Sequence, residues 1–208
     1  MIMSKGTLFI VSAPSGAGKT SLVKRLTKEA DKLTVSISHT TRPQRPGETH
    51  GQDYFFVDPE EFKTMMENQA FLEYARVFDN YYGTAKQTVE KTLENGNDVI
   101  LEIDWQGAQQ VRKRMEDSLS IFILPPSIEV LEQRLRNRGQ DSEETIARRM
   151  QDAVTEMSHY NEYQYLVVND DFDEASGQLK SIIVANRMKT ARQINALDNL
   201  LPDLLGKS

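Results

Sequence analysis

The stretch "LFIVSAPSGAGKTSLVKRL", residues 8 to 26, decides the fold. An apolar run with β-branched residues, from Thr7 to Ser12, stops at proline and glycine and so reads as a buried strand. Leu22, Val23 and Leu26 then recur at helical spacing. Between them lies Ala13, Pro14, Ser15, Gly16, Ala17, Gly18, Lys19 and Thr20, the phosphate-loop pattern G-x-x-x-x-G-K-[ST] with Ala13 in place of the first glycine. Such a loop works because successive backbone N–H groups converge on an anion at a helix N-terminus, where the dipole also favours negative charge. Lysine reaches the outer phosphates and the hydroxyl of Thr20 can hold Mg²⁺. A methyl group at position 13 is tolerated if φ there is negative. The strand-loop-helix context is what the motif requires, so a nucleoside triphosphate is the expected ligand.

Working outward, strands alternate with helices. Strands are expected at Leu33 to Ser38, Tyr54 to Val57, Asp98 to Asp104 ("DVILEID"), "SIFILPP" and Tyr165 to Val168, with a helical tail from about Phe172. "DPEEF" signals a helix start, with Asp58 as cap, Pro59 at the first helical position and Glu61 three residues on. "FLEYARVFDNYYGT" reads as strand and turn, with a helix from about Lys86 to Leu93. The alternation implies an α/β layer with a mostly parallel sheet. Segment 38–90 breaks it with short strands and turns and is expected to sit over the sheet as an insertion. The helical, charged segment 127–160, interrupted near "RNRGQDSEE", is a second one.

Composition narrows the chemistry. The 208-residue chain has a net charge of −6, no cysteine and three histidines without metal-ligand spacing. Disulfides and thiolate metal sites are excluded, and a catalytic zinc is not expected. The acidic balance argues against a nucleic-acid-binding face. No apolar run approaches the roughly 20 residues needed to span a bilayer, so no membrane association is expected and a reducing cytoplasm fits. Five arginines nevertheless fall between Arg134 and Arg149, and Arg42 and Arg45 form a further pair. Concentrating guanidinium groups this way suits a small anion better than a long polyanion.

A second site follows from "SISHTTRPQRPGETHGQDYFF", which gathers Ser38, Arg42, Arg45 and Tyr54, while "FLEYARVFDNYYGT" adds Glu73, Tyr82 and Thr84. Arginine forks and tyrosine hydroxyls make a phosphate clamp. A carboxylate among aromatics suits a base that presents adjacent N–H donors and a carbonyl. The base-reading N-K-x-D string of GTPases is absent. "VILEID" could supply the acid of an ATPase and does not decide.

The strings "SAPSGAGKT", "SHTTRPQRPGE", "FLEYA", "NYYGT", "LEIDWQGA", "FILPPS", "RLRNRGQDSEE" and "VVNDDFD", in order from residue 12 to 173, resemble the guanylate kinase family. The resemblance implies a P-loop three-layer α/β/α core with a mostly parallel sheet (1–37, 91–126, 161–208). It adds a small α+β GMP-binding insertion (38–90) and a helical lid (127–160), together one domain over about 5–187. It implies transfer of the γ-phosphoryl group of Mg-ATP to GMP, without nucleic acid or membrane partners. Ser38, Arg42, Arg45 and Tyr54 match GMP ligands, the last three at its phosphate, and Tyr82 matches another phosphate ligand. Glu73 matches the carboxylate facing guanine, with Asp104 nearby on the amino group and the Thr84 hydroxyl near O6; Gly83 belongs to the same GMP-binding set. Arg134, Arg138 and Arg149 match the lid arginines, and Asn169 lies in the segment near adenine. Glu102, where many relatives have aspartate, falls with Asp104 in the GMP-binding set, at the magnesium or phosphate site. Nothing reports on the ribose 2′-OH, so dGMP stays beside GMP as acceptor.

Other readings of the same residues remain in view. Tyr54, Tyr81 and Tyr82 could be core or turn aromatics, and Glu73 on an alternating strand could face solvent. Arg136 and Arg148, outside the matched positions, are expected to be solvated, and Asp98 to be a simple strand-start residue. Trp105 and the apolar tail Ile194 to Leu205 are expected to pack against the core or a neighbouring subunit, which leaves a homo-oligomer open. An interaction module of the same fold is disfavoured because Lys19, Thr20 and the lid arginines are all present. A kinase for AMP or UMP is disfavoured by Glu73 with Ser38 and Thr84.

Overall fold

Every residue of β1 (Leu8–Ser12) is buried, which a strand achieves only with neighbours on both edges and layers on both faces. The computed structural model, which describes residues 4–77, 79–137, 142–197 and 200–206, supplies both. In chain order β1 is followed by α1 (Lys19–Glu29), β2 (Leu33–Val35), β3 (His39–Thr40), β4 (Phe55–Phe56), α2 (Pro59–Glu67) and β5 (Phe71–Val77). Next come β6 (Asn80–Ala85), α3 (Lys86–Glu94), β7 (Asp98–Glu102), α4 (Trp105–Arg114) and β8 (Leu119–Leu124). The chain continues with α5 (Ile128–Asn137), α6 (Glu143–Met157), β9 (Tyr165–Val168), α7 (Phe172–Arg187), α8 (Thr190–Ala196) and α9 (Leu200–Leu204).

A five-stranded parallel sheet runs β2-β7-β1-β8-β9, with β1 pairing β7 from Leu8↔Val99 and β8 from Phe9↔Leu119. Strand residues alternate between faces. Phe9 and Val11 therefore join a core with Leu22 and Leu26 of α1 and Leu179 and Ile183 of α7. Leu8 and Ile10 join the opposite core with Val89 and Leu93 of α3 and Val111 of α4. The expected three-layer core with a parallel sheet is thus present.

Segment 38–90 folds as its own four-stranded sheet of order β4-β3-β6-β5. The expected strand and turn at 71–84 is a hairpin, β5 pairing β6 antiparallel from Phe71↔Ala85 to Val77↔Asn80. The strand expected to reach Ser38 ends at Val35, where its pairing with β7 ends, and that expected at 54–57 holds only Phe55–Phe56. The strand expected to run to Asp104 stops at Glu102, because Asp104 caps α4 by accepting from the Gly107 amide at 2.9 Å. The Asp58 cap is as the sequence indicates, its carboxylate accepting from Glu61 N at 2.8 Å.

Asp98 is more than a strand-start residue. Only 1% exposed, it accepts from Thr7 N (2.7 Å), Arg187 Nε (2.7 Å) and Arg192 Nη1 (3.0 Å), and so ties α7 and α8 to the sheet. Trp105 stacks on His159 at 3.8 Å and 9°. His159 Nδ1 in turn meets Glu162 Oε1 at 2.6 Å. The tail helices leave Ile194, Leu200, Leu204 and Leu205 exposed. No described helix is long and apolar enough to cross a membrane.

Candidate active site

Parallel strands deliver their C-terminal ends to one edge of the sheet, and ligands of such sheets bind there. The loop between β1 and α1 needs two left-handed residues, supplied by Gly16 (φ 95°) and Gly18 (φ 91°). Ala13 has no such requirement, because the described non-glycine residues with positive φ are Lys32 and Gln69. The methyl group is therefore accommodated as the sequence implies.

Asn169, at the end of β9, locks this loop from beneath. It is 4% exposed and donates from Nδ2 to the Ala17 carbonyl at 2.7 Å. A Cβ on Gly18 would lie 2.3 Å from that Nδ2, a second reason for glycine there. The Asn169 main-chain carbonyl accepts from Arg134 Nη2 at 2.9 Å, so Arg134 of α5 is anchored to the segment that supports the loop. At the other end of the loop, Thr20 Oγ1 donates to Glu102 Oε2 at 3.0 Å. The longer glutamate thus reaches the hydroxyl that would ligate magnesium. No group of three or more acidic or histidine ligands able to hold a metal occurs among the described residues. A magnesium ion keeps several waters and is held by substrate phosphates with one or two protein oxygens. Thr20 and Glu102 fit that donor set.

A cavity of about 320 Å³ joins the phosphate loop to the second sheet. Ala13, Pro14, Ser15, Gly16, Gly18, Lys19, Thr20, Glu102 and Asp104 line one side, and Ser38, Tyr54, Glu73 and Tyr82 the other, with Arg149 of α6 above them. Ala17, fully buried, lies outside this lining. A neighbouring cavity of about 420 Å³ is lined by Arg42, Arg45, Tyr82, Arg148 and Arg149. Arg148 is exposed, as expected, yet it faces the same hollow as the clamp arginines. Arg136 is an outer-surface residue paired with Glu132 and Glu143. Arg138 lies outside the described residues.

Glu73 does not face solvent. It is 3% exposed, and Thr84 Oγ1 donates to its Oε1. Burial pushes its carboxyl up to about 7; the Thr84 hydrogen bond opposes this and nearby Asp104 reinforces it. Thr84, 1% exposed, bears on the cavity through that carboxylate. Gly83 pairs with His39, and a Cβ there would lie 3.0 Å from Phe62 and Phe71.

In the clamp, Arg42 lies over the rings of Tyr54 (5.4 Å) and Phe56 (5.8 Å). Its Nη1 donates to the Pro43 carbonyl at 2.8 Å and its Nη2 to Glu48 Oε1 at 2.7 Å. Glu48 Oε2 accepts from Arg45 N at 2.8 Å, so one carboxylate holds the Arg42 guanidinium and the main chain at Arg45. The Arg42 hydrogen bond holds Glu48 below the usual carboxylate range. Sequence reasoning passed over Glu48, although its place six residues beyond Arg42 in a turn-rich loop was the available signal.

It also passed over Glu156, on the face of α6 that closes the cavity. Burial raises its carboxyl to about 7, opposed by Lys19 and reinforced by Asp104. Nothing local distinguishes it from the other acids of that helix.

Comparison with known proteins places these features in a family. A family model described as guanylate kinase matches residues 5–186. A protein of Methylococcus capsulatus named guanylate kinase is 63% identical over 204 residues, covering 98% of this chain and 100% of its own. That of Escherichia coli K12 is 58% identical over 205 residues, with 98% and 99% covered. The crystal structure of guanylate kinase from Anaplasma phagocytophilum superposes with a TM-score of 0.79 at 34% identity, covering 97% of this chain and 98% of that one.

Proposed function

The chain belongs to the guanylate kinase family, and from that premise we propose how its cleft phosphorylates GMP with ATP. The observation that carries the residue assignment is a single cavity lined by the phosphate loop on one side and by a buried carboxylate, Glu73, on the other. In this reading the core strands and α1 form the donor half, 38–90 the acceptor half, and 127–160 the lid.

The amides around Gly16 and Gly18 and the Lys19 ammonium hold the donor polyphosphate. Thr20 and Glu102 hold Mg²⁺, which when bound neutralises donor phosphate charge. Asn169 supports the loop from below and borders the adenine end. On the acceptor side Arg42, Arg45, Tyr54 and Tyr82 hold the GMP phosphate, and Ser38, Glu73, Thr84 and Asp104 the base, with the Gly83 backbone beside it. Guanine offers N1–H and an exocyclic amine to the Glu73 carboxylate. Adenine lacks that pair and would leave a desolvated carboxylate unsatisfied.

The nucleophile is a phosphate oxygen whose second pKa is about 6, so it is already ionised at neutral pH and needs no protein base. Positioning and charge neutralisation then carry the rate. Lys19, Arg42, Arg134, Arg138 and Arg149 offset the repulsion between two polyanions, and a closed lid keeps water from the γ-phosphate. The same contacts admit dGMP, and the cysteine-free composition suits a cytoplasmic setting.

The test is a coupled ADP-release assay with ATP against GMP, dGMP, AMP, UMP and no acceptor. Turnover should require GMP or dGMP, and Lys19→Ala should abolish it with the fold retained. ADP release that ignores the acceptor, or a fully active Lys19→Ala protein, would sink the proposal.

A further inference from the structure

Gly107, the third residue of α4, sits in the first turn of a helix, where glycine is less favourable than alanine. Its φ is not positive, so the backbone itself would accept any residue. The reason for glycine lies across the cavity wall. A Cβ built there falls 2.5 Å from Glu73 Oε2, 3.2 Å from Glu73 Cδ and 3.4 Å from Asp104 Oδ1. The Glu73 carboxylate therefore rests on the bare helix backbone, in the space a methyl group would take.

We propose that Gly107 is a specificity-determining residue for the acceptor base: its missing side chain is the seat of the Glu73 carboxylate. The inference deepens the function above, since it rests on Glu73 reading guanine. Glu73 is pinned on three sides. Thr84 Oγ1 holds Oε1, burial leaves 3% of the residue exposed, and Gly107 supports Oε2. An alanine methyl would have to push Oε2 away by roughly half an ångström or more, toward the guanine position or off Thr84. Because the displaced atom ends a flexible side chain, base reading is lost before the fold is. The same helix turn also sets Asp104, whose Oδ1 accepts from the Gly107 amide at 2.9 Å, so both carboxylates are referenced to one residue.

A contrasting glycine provides the control. Gly177, inside α7, has nothing within 4 Å of a built Cβ, so alanine there changes helix propensity alone.

The experiment measures apparent affinities for GMP and for IMP, which keeps N1–H but lacks the exocyclic amine, together with KM for ATP and Tm. It uses wild type, Gly107→Ala, Gly177→Ala, Glu73→Ala and the double variant Glu73→Ala/Gly107→Ala. Wild type should prefer GMP over IMP by roughly tenfold to a hundredfold, the range for a hydrogen bond to a charged group. Gly107→Ala should lose at least about tenfold of that preference with KM for ATP unchanged, whereas Gly177→Ala keeps it. In the Glu73→Ala background the Gly107 substitution should have no further effect on GMP, because the group it displaces is gone. Should Gly107→Ala lower Tm, the double variant should recover it. An intact preference in Gly107→Ala overturns the inference, as does a loss of GMP binding or of Tm that persists without the Glu73 side chain. A wild type indifferent to GMP and IMP would instead overturn the role of Glu73 itself.

Discussion

Replacing Glu73 by glutamine removes a charge that the fold keeps out of water, and the consequence can be worked through in sign and size. The group ionises near 4.5 in an unfolded chain and at about 7 in the folded one, because burial disfavours the anion. The folded state then binds the proton more tightly, so stability is full below about pH 4.5 and declines as pH rises toward 7. Above 7 the loss is complete and flat, and between pH 5 and pH 8 it amounts to about 2 kcal/mol. Glutamine can still accept from Thr84 and carries no such penalty. Urea unfolding of the ligand-free proteins should therefore show Glu73→Gln gaining about 2 kcal/mol on wild type between pH 5 and pH 8. The variant should bind guanosine more weakly at pH 8, and its binding should lose the roughly tenfold fall toward pH 6 that ionisation of Glu73 gives the wild type. Guanosine is the right probe because it has no phosphate titrating in this range. A stability difference that does not change with pH would refute the desolvated carboxylate, and with it the idea that GMP's donors are drawn in to satisfy it.

Glu48→Gln should raise KM for GMP by about tenfold through disordered Arg42 and Arg45, while guanosine inhibition, which makes no use of the phosphate clamp, stays the same. Equal weakening of both ligands would mean that Glu48 supports the second sheet as a whole. Asp98→Asn should lower the free energy of unfolding by about 3 kcal/mol, because Arg187 and Arg192 lose a buried counter-charge, with kcat of the folded protein unchanged. A urea midpoint like that of wild type would contradict it.

What could be read from sequence was what is encoded locally. β1, the phosphate loop and α1 follow from an apolar run, two glycines with left-handed backbone and a 3.6-residue period, all within residues 7 to 26. The start of α2 was equally plain, since Asp58, Pro59 and Glu61 cap it within four residues. The resemblance to a family carried the acceptor site, and the structure brings most of those residues to one pair of cavities. Unread features depend on distant partners. Asp98 looks like any polar residue opening a strand until Arg187 and Arg192 arrive from the far end of the chain. Glu156 is one acid among several on α6, and only its burial where that helix meets the cavity makes it unusual, against the opposing charge of Lys19. The resemblance places Thr84 beside the base, but its hydrogen bond to Glu73 in the folded protein is not legible in the sequence. Such pairings are properties of packing, and no period or spacing announces them.

The electrostatics of the cleft explain how a chain with a net charge of −6 attracts two polyanions. At physiological ionic strength charges more than about 8 Å apart are largely screened, so the distant surface acids matter less than what lines the site. Arg42, Arg45, Arg148 and Arg149 line one hollow together with a single acid, Glu144, and Lys19 with the loop amides faces the other. Glu73, Glu102, Asp104 and Glu156 also line that second hollow, and burial pushes the carboxyls of Glu73 and Glu156 up to about 7. A bare phosphate gains from the arginines but offers no donors to these carboxylates. A nucleotide whose base brings N–H groups to Glu73 satisfies both. In the function proposed above, acceptor selectivity then comes from placing acid where base donors go and cations where phosphates meet.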